Sequence, residues 1–119
     1  MAEHNDFGKL GEQYAVEFLQ KNGYDISYRN YRYLKAEVDI IAQKENVLAI
    51  IEVKARSTNF IDNVADLIPQ KKIKLLVAAA DHYVTSNNLD VEIRFDVILV
   101  YKKNNNFKVE HIEDAFYHF

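Results

Sequence analysis

Asp39, Glu52 and Lys54 are the residues of this 119-residue chain whose types and spacing could do chemistry. They lie on two strand-like runs, Glu37–Lys44 and Val47–Arg56, joined at Glu45-Asn46. A two-residue turn pairs Lys44 with Val47, which sets Asp39 opposite Glu52 and Glu37 opposite Lys54; a four-residue loop keeps the same register. Side chains alternate along strands, so Val38, Ile40, Ala42, Ala49, Ile51, Val53 and Ala55 are expected on one apolar face. Glu37, Asp39, Glu52, Lys54 and Arg56 then share the other. Two facing carboxylates repel by about 0.2–1 kcal/mol and start roughly 5 Å apart, close enough to share a cation. Asp39 and Glu52 are therefore the candidate metal pair, with the Val53 carbonyl as a further oxygen ligand. Hydrolysis of a phosphodiester needs an activated water, relief of charge on the phosphoryl oxygens and help for the leaving oxygen. Lys54, on the same strand face as Glu52, could position the water, deprotonate it or stabilise phosphoryl charge, and the sequence leaves those roles open.

The elements that must hold these residues are legible around them. A helix is predicted from about Phe7 to Lys21, capped by Asp6, stopped by Asn22-Gly23, with Phe7, Leu10, Tyr14 and Phe18 as its core stripe. Gly8 and Gly11 are out of place inside it, each costing about 1 kcal/mol against Ala. Gly8, Ala15 and Val16 flank Glu12, so a close backbone approach there would partly bury that carboxylate and make it an accessory acid. Tyr24 to Tyr31 reads as a first strand, and Tyr33-Leu34-Lys35 leads into the hairpin. Ser57 to Asn63 reads as a polar loop, and Pro69 opens a helix running to about Ser86, buried through Ile73, Leu76, Val77, Ala80 and Tyr83 or Val84. Lys71 and Lys74 share another face of it. Leu89 to Tyr101 alternates, then turns apolar on both faces, as a strand does on entering the middle of a sheet. Phe107 to Ile112 forms a peripheral strand after the turn at Asn104-Asn105-Asn106, and Asp114-Ala-Phe116 a terminal turn. The order α-β-β-β-α-β-β implies an α/β fold, a mixed sheet flanked by helices in one domain spanning 1–119.

Composition narrows the chemistry. No Cys is present, so thiolate sites and disulfides are excluded and a metal must rest on carboxylate, carbonyl or imidazole ligands; Mg²⁺ or Mn²⁺ suits such oxygens. The N-terminus lacks a signal peptide's basic and apolar regions and no apolar run approaches a membrane span, so a cytoplasmic, non-membrane protein is expected. Net charge is −3, yet residues 29 to 74 carry nine Lys or Arg against six acids, three of which belong to the candidate site. A metal-loaded site bordered by Arg32, Arg56, Lys71 and Lys74 could accept a phosphate backbone, with Glu37 as an accessory acid. A solvated mixed surface explains the same charges. His4, His82, His111 and His118 show no ligand spacing. Tyr31 and Tyr33 are the tyrosines nearest the site that could stack on unpaired bases.

An acid on one strand followed by Glu-x-Lys on the next resembles the PD-(D/E)xK, or restriction-endonuclease-like, nuclease superfamily, without the proline of its name. The whole chain is similar to the functionally uncharacterised YraN-like family. Its landmarks are Gly8-Lys-Leu-Gly11-Glu12, Arg29-Asn30-Tyr31-Arg32, Glu37-Val-Asp39, Ile51-Glu52-Val53-Lys54-Ala55-Arg56, Lys71 with Lys74, Arg94-Phe95-Asp96 and Asp114-Ala-Phe116. Ala36 stands where the family usually has Gly. The resemblance implies a restriction-endonuclease-like core and action on nucleic acid, DNA that is branched, damaged or single-stranded. Similarity to archaeal Holliday-junction resolvases implies a further metal-binding role for Glu12. A surface salt bridge is the bland account of Asp39, Glu52 and Lys54. Three functions compete: a metal-dependent nuclease, a non-cleaving nucleic-acid-binding module and a protein-interaction factor. A small acidic domain would use a second copy or a protein partner to hold DNA. Arg94 and Asp96 are expected to be structural.

Overall fold

The computed structural model describes residues 2–56 and 68–116, with side chains from Phe7 onward; the loop expected at Ser57 to Asn63 lies outside them. Helix α1 (Ala2–Lys21) is followed by β1 (Asp25–Tyr33), β2 (Ala36–Lys44), β3 (Val47–Arg56), α2 (Gln70–Ser86), β4 (Glu92–Lys103) and β5 (Asn106–Ile112). This is the expected α-β-β-β-α-β-β order. The strands lie side by side in chain order, antiparallel except for the parallel β3–β4 pair. That parallel pair requires a crossover, which α2 supplies. The architecture is an α/β mixed sheet with a helix on each face, consistent with a restriction-endonuclease-like fold. Among the described residues no helix is long and apolar enough to cross a membrane.

The sheet is buried on both sides. Leu48, Ile50, Phe95 and Val97 pack with Ile73, Leu76, Ala79 and Ala80 of α2. Ala49, Ile51, Ile98 and Val100 pack with Ala15, Val16 and Leu19 of α1. Helix α1 ends as expected: Gly23 takes φ +89°, and the Tyr24 and Gly23 N–H groups donate to the Leu19 and Gln20 carbonyls, closing a Schellman turn. Two details of this helix differ from expectation. It starts at Ala2, so Asp6 lies inside it and does not cap it. Its seam is the line Gly11, Ala15 and Leu19, small where it meets β3 and closed by a large side chain, while Leu10 is 42% exposed. Tyr14 stacks on Phe107 and Phe18 meets His111 edge-on, so the rings clasp β5 at the flank of the seam. A Cβ on Gly11 would stand 3.0 Å from the Ala55 Cβ, whereas Gly8 has nothing within 4 Å. The close approach that Glu12 needs therefore comes from Gly11, not Gly8.

The hairpin register is the expected one from Lys44↔Val47 to Ile40↔Ile51, but the ladder stops there. Beyond it β3 continues on β4 to Arg56↔Tyr101, and β2 continues on β1 to Tyr33↔Ala36. The two strands thus open into a fork with Asp39 in its crotch. Direct opposition of Asp39 to Glu52, and of Glu37 to Lys54, is replaced by this fork. The physical cause is a carboxylate doing a backbone's work, since Asp39 Oδ2 accepts the Val53 N–H at 2.8 Å. Strand β2 also changes face at Asp39. Val38 and Ile41 pack on the α2 side while Ile40 and Ala42 pack on the α1 side, so Val38 does not share the face of Ile40 as alternation predicts. Asn30 of β1, at φ +56°, flanks the same kink, with Arg29↔Ile40 and Tyr31↔Val38 in one register on either side.

Candidate functional site

The fork gathers groups from four elements. From β2 comes Asp39; from β3 come Glu52 and Lys54; from α1 comes Glu12; from α2 comes Lys72. Glu52 lies on the same face as Leu48 and Ile50, beneath α2, and is only 2% exposed. Glu52 was expected on a polar face shared with Glu37, Asp39, Lys54 and Arg56, yet both faces of β3 are covered. Parity carried the hint, since Leu48, Ile50 and Glu52 alternate onto one side.

Glu52 Oε2 accepts the Lys72 ammonium at 2.6 Å and lies 3.9 Å from Lys54 Nζ. Its other oxygen, Oε1, is buried with no hydrogen-bond partner among the described residues. Burial, then the charge of Asp39, push the Glu52 carboxyl above its ordinary range despite both lysines. Burial likewise raises Asp39, with Glu37 adding to it, against the Val53 N–H, Lys72 and Lys54. The Lys54 ammonium is lowered, chiefly by burial and further by Lys72 and Arg56, while Glu52 opposes the change. Glu12 is raised by burial and by Asp39, and Arg29 lies 3.7 Å from its Oε1. Two carboxylates held against their preference for ionisation, one with an unmatched buried oxygen, form a donor set that suits a hard cation. Asp39 and Glu52 are the residues that could hold Mg²⁺ or Mn²⁺, with Glu12 beside Asp39. Among the described residues, no three His, Asp or Glu side chains converge as ligands around an ion would.

The remaining expected residues border this centre. Arg32 is exposed and pairs with Glu37 at 3.3 Å. Arg56 is exposed at the end of β3, its Nη1 donating to the Ala55 carbonyl. Lys71 and Lys74 are exposed on the first turns of α2. Lys35, Glu37, Lys71 and Lys72 rim a cleft of about 310 Å³ floored by Ala36, Pro69, Leu75 and Leu76. Lys72 thus faces both the acids and the cleft, although charge and helical spacing alone single out Lys71 and Lys74. The signal was present: Leu75 and Leu76 lie three and four residues on, which puts Lys72 above the buried stripe of α2.

Arg94 and Asp96 occupy the opposite face of the sheet from Glu52, in a separate polar cluster. Asp96 is fully buried and accepts Arg94 Nε at 3.0 Å, His111 Nε2 at 2.8 Å and the Asp114 N–H at 3.0 Å. Arg94 Nη2 also donates to the Tyr24 hydroxyl. Burial alone would raise the Asp96 carboxyl, but bonds from His111, Arg94 and Asp114 offset it and hold the group below its usual range. His111, which showed no ligand spacing, is a structural partner here. His82 is another, stacked on Tyr33 at 4.0 Å between centroids and 2.7 Å from the Tyr31 hydroxyl.

The model of the uncharacterised protein family UPF0102 matches residues 11–100, a span containing Glu12, Asp39, Glu52, Lys54 and Lys72. The chain is 60% identical over 119 residues to a UPF0102 protein of Flavobacterium psychrophilum, covering 100% of both chains. It is 52% identical to one from Christiangramia forsetii, again over the full length of both. With one from Bacteroides thetaiotaomicron the identity is 47% over 117 residues, 98% of this chain and 97% of the relative.

Proposed function

The chain belongs to the uncharacterised protein family UPF0102, the YraN-like family of the restriction-endonuclease-like superfamily, and we propose that it is a divalent-metal-dependent nuclease hydrolysing phosphodiester bonds in DNA. The observation that carries this reading is Glu52: a buried carboxylate with one oxygen unmatched among the described residues, set beside Asp39, with Lys54 two residues along the same strand face. A carboxylate is expensive to bury in that state, and a cation is the economical chemical reason to keep it.

Asp39 and Glu52 would hold Mg²⁺ or Mn²⁺. The ion's contribution, once bound, is to acidify a coordinated water and to neutralise charge developing on the phosphoryl oxygens. Lys54 borders the acids with its ammonium already destabilised by burial, which suits it to orient the attacking water or to move a proton to or from it. Glu12 adds negative charge beside Asp39 and keeps Arg29 close. Lys35, Lys71 and Lys74, with Arg32 and Arg56 on the arms of the fork, would carry the flanking phosphates. Branched, damaged or single-stranded DNA is the substrate class favoured by the resemblance. A second copy or a protein partner would enlarge the basic surface of a chain whose net charge is −3.

The 2.6 Å contact between Lys72 and Glu52 favours one second reading, a nucleic-acid-binding module whose acids are closed by lysine and do not cleave. The two separate in one experiment. The protein, with Asp39→Ala and Lys54→Ala beside it, is incubated with Mg²⁺ or Mn²⁺ and linear, flapped, single-stranded and four-way-junction DNAs. Metal-dependent cleavage by the wild type that both variants lose supports the nuclease. Salt-sensitive binding without cleavage on every substrate supports the module.

A further inference from the structure

Lys72 joins two places that the proposed function needs. Its ammonium lies on Glu52 Oε2, and its stem lines the lysine-rimmed cleft with Lys35 and Lys71. The partners differ in freedom. Glu52 is 2% exposed and fixed in the middle of β3, whereas the Lys72 side chain is 40% exposed on the first turn of α2. The lysine can leave the pair by rotating its own stem, and the carboxylate cannot follow. Nor does the pair complete the site. Lys72 at 2.6 Å and Lys54 at 3.9 Å both address Oε2, while Oε1 lacks a partner among the described residues and Asp39 adds a second negative charge close by. A divalent ion on Glu52 would crowd both ammonium groups with further positive charge, and Lys72, 40% exposed against 19% for Lys54, is the one free to yield.

We infer that Lys72 is an exchangeable counter-ion of the acid pair: it closes Glu52 in the metal-free protein, and when the divalent ion enters it swings into the cleft beside Lys35 and Lys71 to bind substrate phosphate. This rests on the metal reading of Asp39 and Glu52. Metal entry then does two things at once, opening the acids and adding a third free ammonium to the phosphate site. By linkage, a phosphate chain held in the cleft draws Lys72 away from Glu52 and tightens metal binding in return. The closed state is therefore the resting state of the proposed enzyme, and it accounts for the contact that otherwise favours a non-cleaving module.

The test is a Mn²⁺ titration of the full chain, read as free ion by electron paramagnetic resonance, in wild type, Lys72→Met, Lys72→Arg and the distant control Lys103→Met. Removal of a competing charge-assisted bond should tighten Mn²⁺ binding about tenfold in Lys72→Met. Lys72→Arg and Lys103→Met should stay within about threefold of wild type. If wild type binds Mn²⁺ and Lys72→Met binds it no more tightly, the exchange is wrong while the metal reading stands. If neither binds Mn²⁺, the metal reading fails and the exchange fails with it. A second measurement needs no stable Lys72→Met: in lysine-labelled wild type, the Lys72 ε-methylene resonance, assigned by its loss in Lys72→Arg, should move toward the position of a solvated lysine as Mg²⁺ is added. A resonance unmoved while Mg²⁺ saturates the acids would overturn the exchange.

Discussion

Asp96→Asn tests whether the polar cluster beneath α1 secures the sheet. The carboxylate has no solvent exposure, and its oxygens accept from Arg94, His111 and the Asp114 N–H, so β4, β5 and the segment after β5 all meet on one group. An amide supplies one acceptor oxygen and turns an NH₂ toward donors, leaving either Asp114 or the Arg94–His111 side unmatched. A hydrogen bond to a charged group contributes about 1.5–3 kcal/mol, and stripping one partner from a buried pair costs about 3–5 kcal/mol. The expected loss is thus about 3 kcal/mol, a large share of the roughly 5–15 kcal/mol that holds an ordinary domain together. In urea, with a slope of about 1.5 kcal/mol per molar, the midpoint should fall by about 2 M. The pH dependence has a definite sign. The folded carboxyl titrates below the unfolded one, so this contribution is present above the unfolded value near pH 4 and is lost as pH falls through the lower folded value. Asp96→Asn removes that titration and should flatten the acid limb of stability. A loss below about 1 kcal/mol, or an acid limb as steep as the wild type's, would refute the reasoning.

The other predictions concern α1 and the acid pair. Gly8→Ala should stabilise by up to about 1 kcal/mol, because the site is open and helical, whereas Gly11→Leu should destabilise by about 1–3 kcal/mol or more by forcing α1 off Ala55; equal signs in urea unfolding would show the seam is misplaced. Asp39→Asn should stabilise the metal-free protein by up to about 1 kcal/mol, since the amide oxygen can still accept the Val53 N–H while relief of the buried charge and of its repulsion of Glu52 outweighs the lost attraction of Lys72 and Lys54. Melting curves in chelator check this, and a variant less stable than wild type would show that the acids are not held under strain. Lys72→Met should raise Mn²⁺ affinity about tenfold in the titration of free ion, and an unchanged affinity would count against exchange at Glu52.

The hairpin was legible because alternation and a two-residue turn determine register without reference to anything else, and the Lys44↔Val47 pairing follows. What alternation cannot carry is a side chain that substitutes for backbone. Asp39 takes the Val53 N–H, ends the ladder and flips β2, so Val38 and Ile40 part company. The α1 stripe departs from expectation for a related reason: periodicity weights large apolar residues, while this helix approaches β3 through Gly11 and Ala15 and leaves its rings to grip Phe107 and His111. Asp39, Glu52 and Lys54 could be named from types and spacing. Their burial depends on how α2 crosses over β3, and that crossing is what brings Lys72, and not the more exposed Lys71 and Lys74, onto Glu52. His111 reaching Asp96 is likewise a product of β5 pairing with β4.

Cleavage of a four-way-junction or flapped DNA in Mn²⁺ by wild type and by folded Lys54→Ala tests the nuclease claim most directly. Wild type should cleave in a metal-dependent manner, and the variant should lose about 10²–10⁴-fold in rate with little change in DNA affinity. Identical product traces for the two proteins would contradict it.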